Sequence, residues 1–296
     1  MNRTKNNNNN NNNNINNQLQ PTREINRIEK KFTELKTVNQ KALICYVVAG
    51  YPDIRISEDI ITSLIKGGAD IIEIGIPFSD PIADGSTIQD AIHNSLIAGT
   101  TPDMCLDLAS RIRKKFPDTP LIIMTYSNIL FRKGYSIFAQ QAKDSGIDGF
   151  IIPDISIEEA KEYVDTIKRL GMSTIFLVSP NTTEKRLKII SKFSSGFLYV
   201  ISIYGTTGER NSFDEYTMQS IKKVKKVIAK DLPLAVGFGI SNPQHVRYMT
   251  DAGADGTIIG SAIVKKIKEI DNKDALLDTL TKFAHELKNS CKIENK

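Results

Sequence analysis

From residue 24 onward, short apolar runs rich in Val, Ile and Leu alternate with stretches whose apolar positions recur at the helical period. The runs at 43–48, 70–75, 121–126, 149–153, 173–178, 197–202, 234–237 and 255–260 are predicted as strands, each short and bounded by Gly, Pro or polar residues. The segments near 56–67, 103–116, 136–145, 157–170, 183–194, 214–229 and 243–252 read as helices, and a further helix is expected ahead of the first strand. Strands joined by helical crossovers pair in parallel, and parallel strands covered on both faces need near-continuous apolar sequence. Leu121-Ile122-Ile123-Met124 has that character. An open doubly wound sheet usually carries a G-x-G-x-x-G turn after its first strand, and none follows residue 48. The pattern therefore predicts an α/β fold of the (β/α)8 TIM-barrel type, a single domain over 24–291.

Composition changes this picture mainly at the ends. Nine consecutive Asn, 6–14, lie in a stretch with almost no apolar residue, too little to offset the entropy of ordering, so 1–23 is expected to be a disordered tail. Its lack of acids also suits a transit peptide, although Asn stands where Ser and Arg are usual. Residues 292–296 form a polar C-terminal end. Of the net charge of +5, Arg3, Lys5 and Arg23 contribute three, and the remaining +2 is too little for a nucleic-acid-binding face. Basic runs such as 222–226 fall on the solvated side of an amphipathic helix. Cys45, Cys105 and Cys291 have no paired spacing, and His93, His245 and His285 fall in separate helical regions, so no disulfide framework and no metal site is expected. No apolar run approaches the ~20 residues of a membrane span and no signal peptide opens the chain, which points to a soluble protein of the cytoplasm or a plastid.

Two connections after strands exceed the usual two to six residues: 76–101 and 203–214. In a barrel such connections lie at the C-terminal face, where active sites are built. Glu73 sits inside an apolar strand ahead of the first of them, where burial would raise its pKa toward the range of a general acid and base. A Glu held by a buried hydrogen bond or turned outward is the competing reading. Asp80 and Asp84 follow on the loop, where one of them could meet the same cavity or serve a turn. The seventh strand closes in Gly237-Phe238-Gly239-Ile240-Ser241, and the eighth in Gly260-Ser261 directly before a helical run. Glycines at a helix N-terminus let free backbone N–H groups approach an anion, and this pair of loops commonly holds phosphate in such barrels. A phosphorylated substrate follows. The connection 203–214 is polar with two glycines and reads equally as a water-excluding lid or a solvated connector.

The run from Glu73 to Gly85 closely resembles the signature of tryptophan synthase alpha chains, as do Tyr126-Ser127-Asn128, Gly205-Thr206-Thr207-Gly208, Gly237-Phe238-Gly239-Ile240-Ser241 and Gly260-Ser261-Ala262-Ile263-Val264. These motifs stand in family order across about residues 25 to 290. The resemblance implies retro-aldol cleavage of indole-3-glycerol phosphate to indole and glyceraldehyde 3-phosphate. Glu73 would shuttle protons, and Asp84 would accept the indole N–H and stabilise the cationic ring. Tyr46, Tyr126, Tyr199, Thr207, Gly208 and Phe238 would line the substrate pocket, with Gly237, Gly239, Gly260 and Ser261 on the phosphate. It also implies a partner, a beta subunit carrying pyridoxal phosphate in an αββα assembly. Pro77, Asp80, Pro81 and Asn128 would face that subunit, and no cofactor would reside in this chain. Tyr46 stands where the family often has Phe, Val48 where it has Thr, Ile129 and Ser156 where it has Pro, and Ile203-Tyr204 leads unusually into the loop glycine. The same residues would also serve a free-standing lyase, or an idle barrel that only activates the beta subunit. A phosphosugar isomerase shares the phosphate loops but leaves Asp84 unexplained.

Overall fold

The computed structural model describes residues 26–201, 215–237 and 239–292. The expected tail, the 203–214 connection with Thr207 and Gly208, and Phe238 lie outside the described residues. The strands are β1 (Ala42–Val48), β2 (Ile71–Gly75), β3 (Leu121–Met124), β4 (Gly149–Ile151), β5 (Ser173–Ile175), β6 (Leu177–Val178), β7 (Leu198–Ile201), β8 (Leu234–Gly237) and β9 (Gly256–Ile259). All are parallel, in the order β5-β4-β3-β2-β1-β9-β8-β7-β6. The two ends of that order are halves of one stretch, parted only by Phe176. β5 pairs with β4 while β6 pairs with β7, so the single strand expected at 173–178 bends between partners and closes an eightfold (β/α)8 barrel.

Successive side chains on a strand point to opposite faces. Along β2, Ile72 and Ile74 pack toward the surrounding helices, while Ile71, Glu73 and Gly75 share the interior face. Ile44, Ile71, Ile122, Ile151, Ile175, Phe197, Ala235 and Ile258 fill the lower barrel, closed from below by Ile28, Phe32 and Leu35 of the expected N-terminal helix, Arg27–Thr37. Asn26 caps that helix by accepting the Ile28 N–H at 2.9 Å, and Phe32 meets Phe197 at 5.8 Å between ring centroids.

At the N-terminal rim a three-residue pattern recurs: Gly68-Ala69-Asp70, Gly146-Ile147-Asp148 and Gly253-Ala254-Asp255. The glycines take φ of +109°, +84° and +108°, the left-handed turn that brings the chain from helix to strand. Each Asp then clamps the preceding strand at two points. Its N–H donates to the carbonyl of Leu43, Leu121 or Leu234 (2.9, 2.8 and 2.7 Å), and its carboxylate accepts the N–H of the same leucine (2.7, 2.9 and 2.9 Å). Cations balance the charges: Lys288 at 2.6 Å from Asp70, Arg113 and Arg27 at 2.7 and 2.9 Å from Asp148, and Lys41 with Lys225 on Asp255.

Four elements differ from the expectation. The 76–101 connection contains the helix Ser86–Ile97, whose buried Ile88, Ala91, Ile92 and Ser95 follow helical spacing, so the irregular parts are 76–85 and the short turn 98–101. A short helix, Ser127–Lys133, follows β3, and a 17-residue helix, Lys273–Asn289, ends the fold by packing on Ile54–Lys66. The helix expected near 157 begins at Lys161, because 153–160 forms turns and Ala160 offers no capping side chain.

Candidate active site

The barrel's C-terminal mouth gathers five ionisable side chains: Tyr46, Glu73 and Tyr199 from β1, β2 and β7, and Asp84 and Tyr126 from the segments that follow β2 and β3. Glu73 lies opposite Tyr46 and Ile122 in the strand register and is 1% exposed. Neither of its carboxylate oxygens has a hydrogen-bond partner among the described residues. Burial, with the negative charge of Asp84 adding to it, pushes the Glu73 carboxyl up to about 8. A group in that state can give and take a proton near neutrality, which a solvated Glu cannot do well.

Asp84 reaches the same space from the loop after β2. Burial raises its pKa, and the hydroxyl of Tyr126 opposes that rise by donating to Oδ2 at 2.6 Å. The Tyr126 oxygen also accepts the Ala83 N–H at 3.0 Å, and Phe78 stacks on its ring at 5.1 Å. Asp80, the other loop carboxylate, is exposed and accepts from Ser79. Geometry therefore separates the two aspartates that the sequence pattern left side by side.

Tyr46 and Tyr199 complete the mouth. Burial first, and then the charges of Asp84 and Glu73, push both phenols well above their ordinary pKa, so they stay neutral. Each lies across strand-end glycines. A Cβ on Gly75 would overlap the Tyr46 hydroxyl, one on Gly260 would stand 3.0 Å from the Tyr46 ring, and one on Gly237 would stand 2.6 Å from the Tyr199 hydroxyl. Sequence reasoning linked Gly237 and Gly260 to phosphate alone. Packing against the tyrosines is a second reason for the same residues, and it was invisible without the fold.

Gly239 is exposed with φ +60°, a conformation that other L residues adopt only with strain. Ser261 opens the helix Ser261–Glu269, and its N-cap Gly260 supplies no side-chain acceptor, leaving the first-turn N–H groups available to an anion. Thr207, Gly208 and Phe238 lie outside the described residues. Of the four residues expected at a partner surface, Asp80 and Asn128 are exposed, Pro81 is half-buried and Pro77 is buried within the chain. Sequence reasoning passed over two neighbours, Ile82 and Phe131, which are 80% and 77% exposed. Their apolar character was legible, but their exposure was not. Among the described residues no cluster of His, Cys, Asp and Glu could hold a metal, and no helix is long and apolar enough to cross a membrane.

A parallel eightfold barrel, with a buried unpaired carboxyl at its C-terminal mouth and a helix N-terminus after its last strand, defines the class of TIM-barrel enzymes that act on small substrates. Residues 32–292 match the family model described as tryptophan synthase alpha chain. The chain is 44% identical to the tryptophan synthase alpha chain of Methanocaldococcus jannaschii over 255 residues, covering 86% of this chain and 89% of that one. Among solved structures, one from the tryptophan synthase complex of Pyrococcus furiosus superposes with a TM-score of 0.77 at 34% identity, covering 84% of this chain and 98% of that one. The alpha chain of Legionella pneumophila does so with a TM-score of 0.82 at 32% identity, covering 90% and 98%. The chain belongs to the tryptophan synthase alpha chain family.

Proposed function

We propose that this chain is the lyase subunit that cleaves indole-3-glycerol phosphate to indole and glyceraldehyde 3-phosphate. The observation that carries the reading is Glu73: a buried carboxyl with both oxygens unpartnered among the described residues, in the mouth of a barrel of this family, facing the charge of Asp84. In its protonated form Glu73 donates to C3 of the indole ring, which breaks aromaticity and places positive charge on the ring nitrogen. Asp84, ionised, accepts the ring N–H and stabilises that charge. The Glu73 carboxylate then takes the proton of the glycerol hydroxyl. As the carbon–carbon bond breaks, its electron pair returns to the ring, which leaves indole, an aldehyde and a protonated Glu73 ready for the next turnover. The steps run on the chain's own side chains.

Tyr46, Tyr126 and Tyr199 form the walls of the pocket in this reading, with Thr207, Gly208 and Phe238 completing it. Gly237, Gly239, Gly260 and Ser261 hold the phosphate by backbone N–H groups, supported by the free helix N-terminus at Ser261. The partner is a beta subunit that carries pyridoxal phosphate and consumes indole in an αββα assembly. Exposed Asp80 and Asn128, together with the apolar Ile82 and Phe131 at the same rim, support a docking surface there. The compartment in this proposal is cytoplasm or plastid.

Indole release by the purified full chain, with and without beta subunit, tests the reading. The wild type releases indole and is accelerated by beta, whereas Glu73→Gln loses about 100- to 10,000-fold while still binding beta. Substantial activity in Glu73→Gln would defeat the mechanism. A high rate without any stimulation would defeat the partner.

A further inference from the structure

Asp84 lies on irregular chain between β2 and the helix Ser86–Ile97, yet the proposed chemistry needs its carboxylate held in one place. Regular structure does not hold it. The loop makes its own turn, with the Asp84 N–H donating to Pro81 O at 3.1 Å, and Gln89 donates to the Asp84 carbonyl at 2.9 Å. These contacts fix the backbone and leave the side chain free to rotate. Among the described residues, the Asp84 carboxylate has one hydrogen-bond donor, the Tyr126 hydroxyl.

Resting on the lyase reading above, we infer that Tyr126 is a positioning residue for the reaction: its hydroxyl orients Asp84 so that Oδ1 is presented to the ring N–H of the substrate. Three contacts converge on this one side chain. The hydroxyl donates to Asp84 Oδ2 at 2.6 Å, the length of a charge-assisted bond, and the same oxygen accepts the Ala83 N–H at 3.0 Å. Donation and acceptance together lock the 83–84 unit against β3. Phe78, from the opposite end of the loop, stacks on the ring at 5.1 Å with planes 27° apart. The loop is thus clipped at two places to Tyr126.

Tyr126 is itself well anchored. It is 2% exposed and stands at the N-cap of Ser127–Lys133. The next residue, Ser127, donates from its N–H and its hydroxyl to Asp154 beyond β4, at 2.9 and 2.7 Å. Position is therefore passed from the β4 end through Ser127 and Tyr126 to Asp84. The groups that act on the Asp84 charge are Glu73 from β2, Tyr46 from β1, Tyr199 from β7 and Tyr126 itself, with Asp154 acting on Tyr126. Of these, Tyr126 is the one bonded to the carboxylate. Its donated bond favours the ionised form, so its removal raises the Asp84 pKa.

Tyr126→Phe keeps the ring and the Phe78 stack and deletes only the hydroxyl. In steady-state indole release by the full chain with beta subunit, kcat should fall about 10- to 100-fold while KM stays within about threefold. The acid limb of the kcat/KM profile should move to higher pH. Carboxyl carbon NMR of aspartate-labelled chain should show Asp84 titrating higher than in the wild type. An unchanged kcat with an unmoved acid limb would overturn the inference. A rise confined to KM would also overturn it, making Tyr126 a pocket wall only. Glu73→Gln is assayed in parallel: if it stays active, the lyase mechanism fails, whereas a dead Glu73→Gln beside an unaffected Tyr126→Phe defeats the positioning role alone.

Discussion

A carboxyl group at 1% exposure with no hydrogen-bond partner among the described residues prefers its neutral form, and the readiness proposed for Glu73 costs stability. Its folded pKa of about 8 lies above the ordinary 4.5, so between those values the folded chain binds a proton that the unfolded chain releases. The contribution is favourable below pH ~4.5 and is lost as pH rises toward ~8. Glu73→Leu should remove this loss and stabilise the fold by about 4 kcal/mol near pH 8, read from urea denaturation at several pH values. A wild type whose stability is flat over that range would contradict the buried neutral carboxyl. The same two groups predict a bell-shaped rate profile. Its basic limb lies near 8 as Glu73 loses its proton, and its acid limb is set by Asp84, whose pKa burial raises above the usual carboxylate range. Glu73 was legible in the sequence because an acid inside an apolar strand is conspicuous. Asp84 was separated from Asp80 there only by resemblance, and the Tyr126 contact that holds it joins residues 42 positions apart.

The strands and helices carry a division of labour that runs along the barrel axis. The three Gly-x-Asp clamps, at Asp70, Asp148 and Asp255, tie neighbouring strands at the N-terminal rim, and the proposed chemistry occupies the other end. Asp148 is the most buried of the three at 3%, with Arg113, Arg27 and the Leu121 N–H on it. Asp148→Ala leaves the guanidinium of Arg113 buried without its carboxylate partner and should cost about 3–5 kcal/mol, measured by urea denaturation, with kcat of the folded fraction unchanged. At the opposite end, Gly237→Ala forces Tyr199 aside by placing a methyl 2.6 Å from its hydroxyl. The expected result is a raised KM with little loss of stability. The repeat of Gly-x-Asp stood in plain view in the sequence, but its meaning depends on which leucine the carboxylate reaches across the sheet. Helix Ser86–Ile97 was hidden for another reason: it follows ten residues of loop, and the Gly- and Pro-rich signature ahead of it made the whole connection read as irregular.

For the whole molecule, one rim presents both the pocket and the surface proposed for the beta subunit. Phe131 is 77% exposed on Ser127–Lys133, the helix that begins directly after Tyr126. Phe131→Asp should leave the rate of the isolated chain within about twofold, since surface substitutions away from packed features change little, and should weaken stimulation by beta. Titrating beta against indole release tests this, and unaltered stimulation would move the docking surface elsewhere.

What the sequence determined by itself was set by local patterning: apolar runs of strand length, helical spacing between them, and the glycines and carboxylates at strand ends. Those features make the eightfold barrel and mark the rim proposed for catalysis, because hydrophobic burial and backbone turn geometry act over a few residues at a time. The tertiary structure decided what depends on contact between distant segments: the closure through β5 and β6, the tyrosines laid over Gly75, Gly237 and Gly260, and the absence of any described partner on the Glu73 carboxyl. It also decided that Asp84, and not Asp80, turns inward to meet Tyr126. Whether a polar group is solvated, paired or stranded is a property of the folded neighbourhood, and that neighbourhood exists only once the barrel has closed.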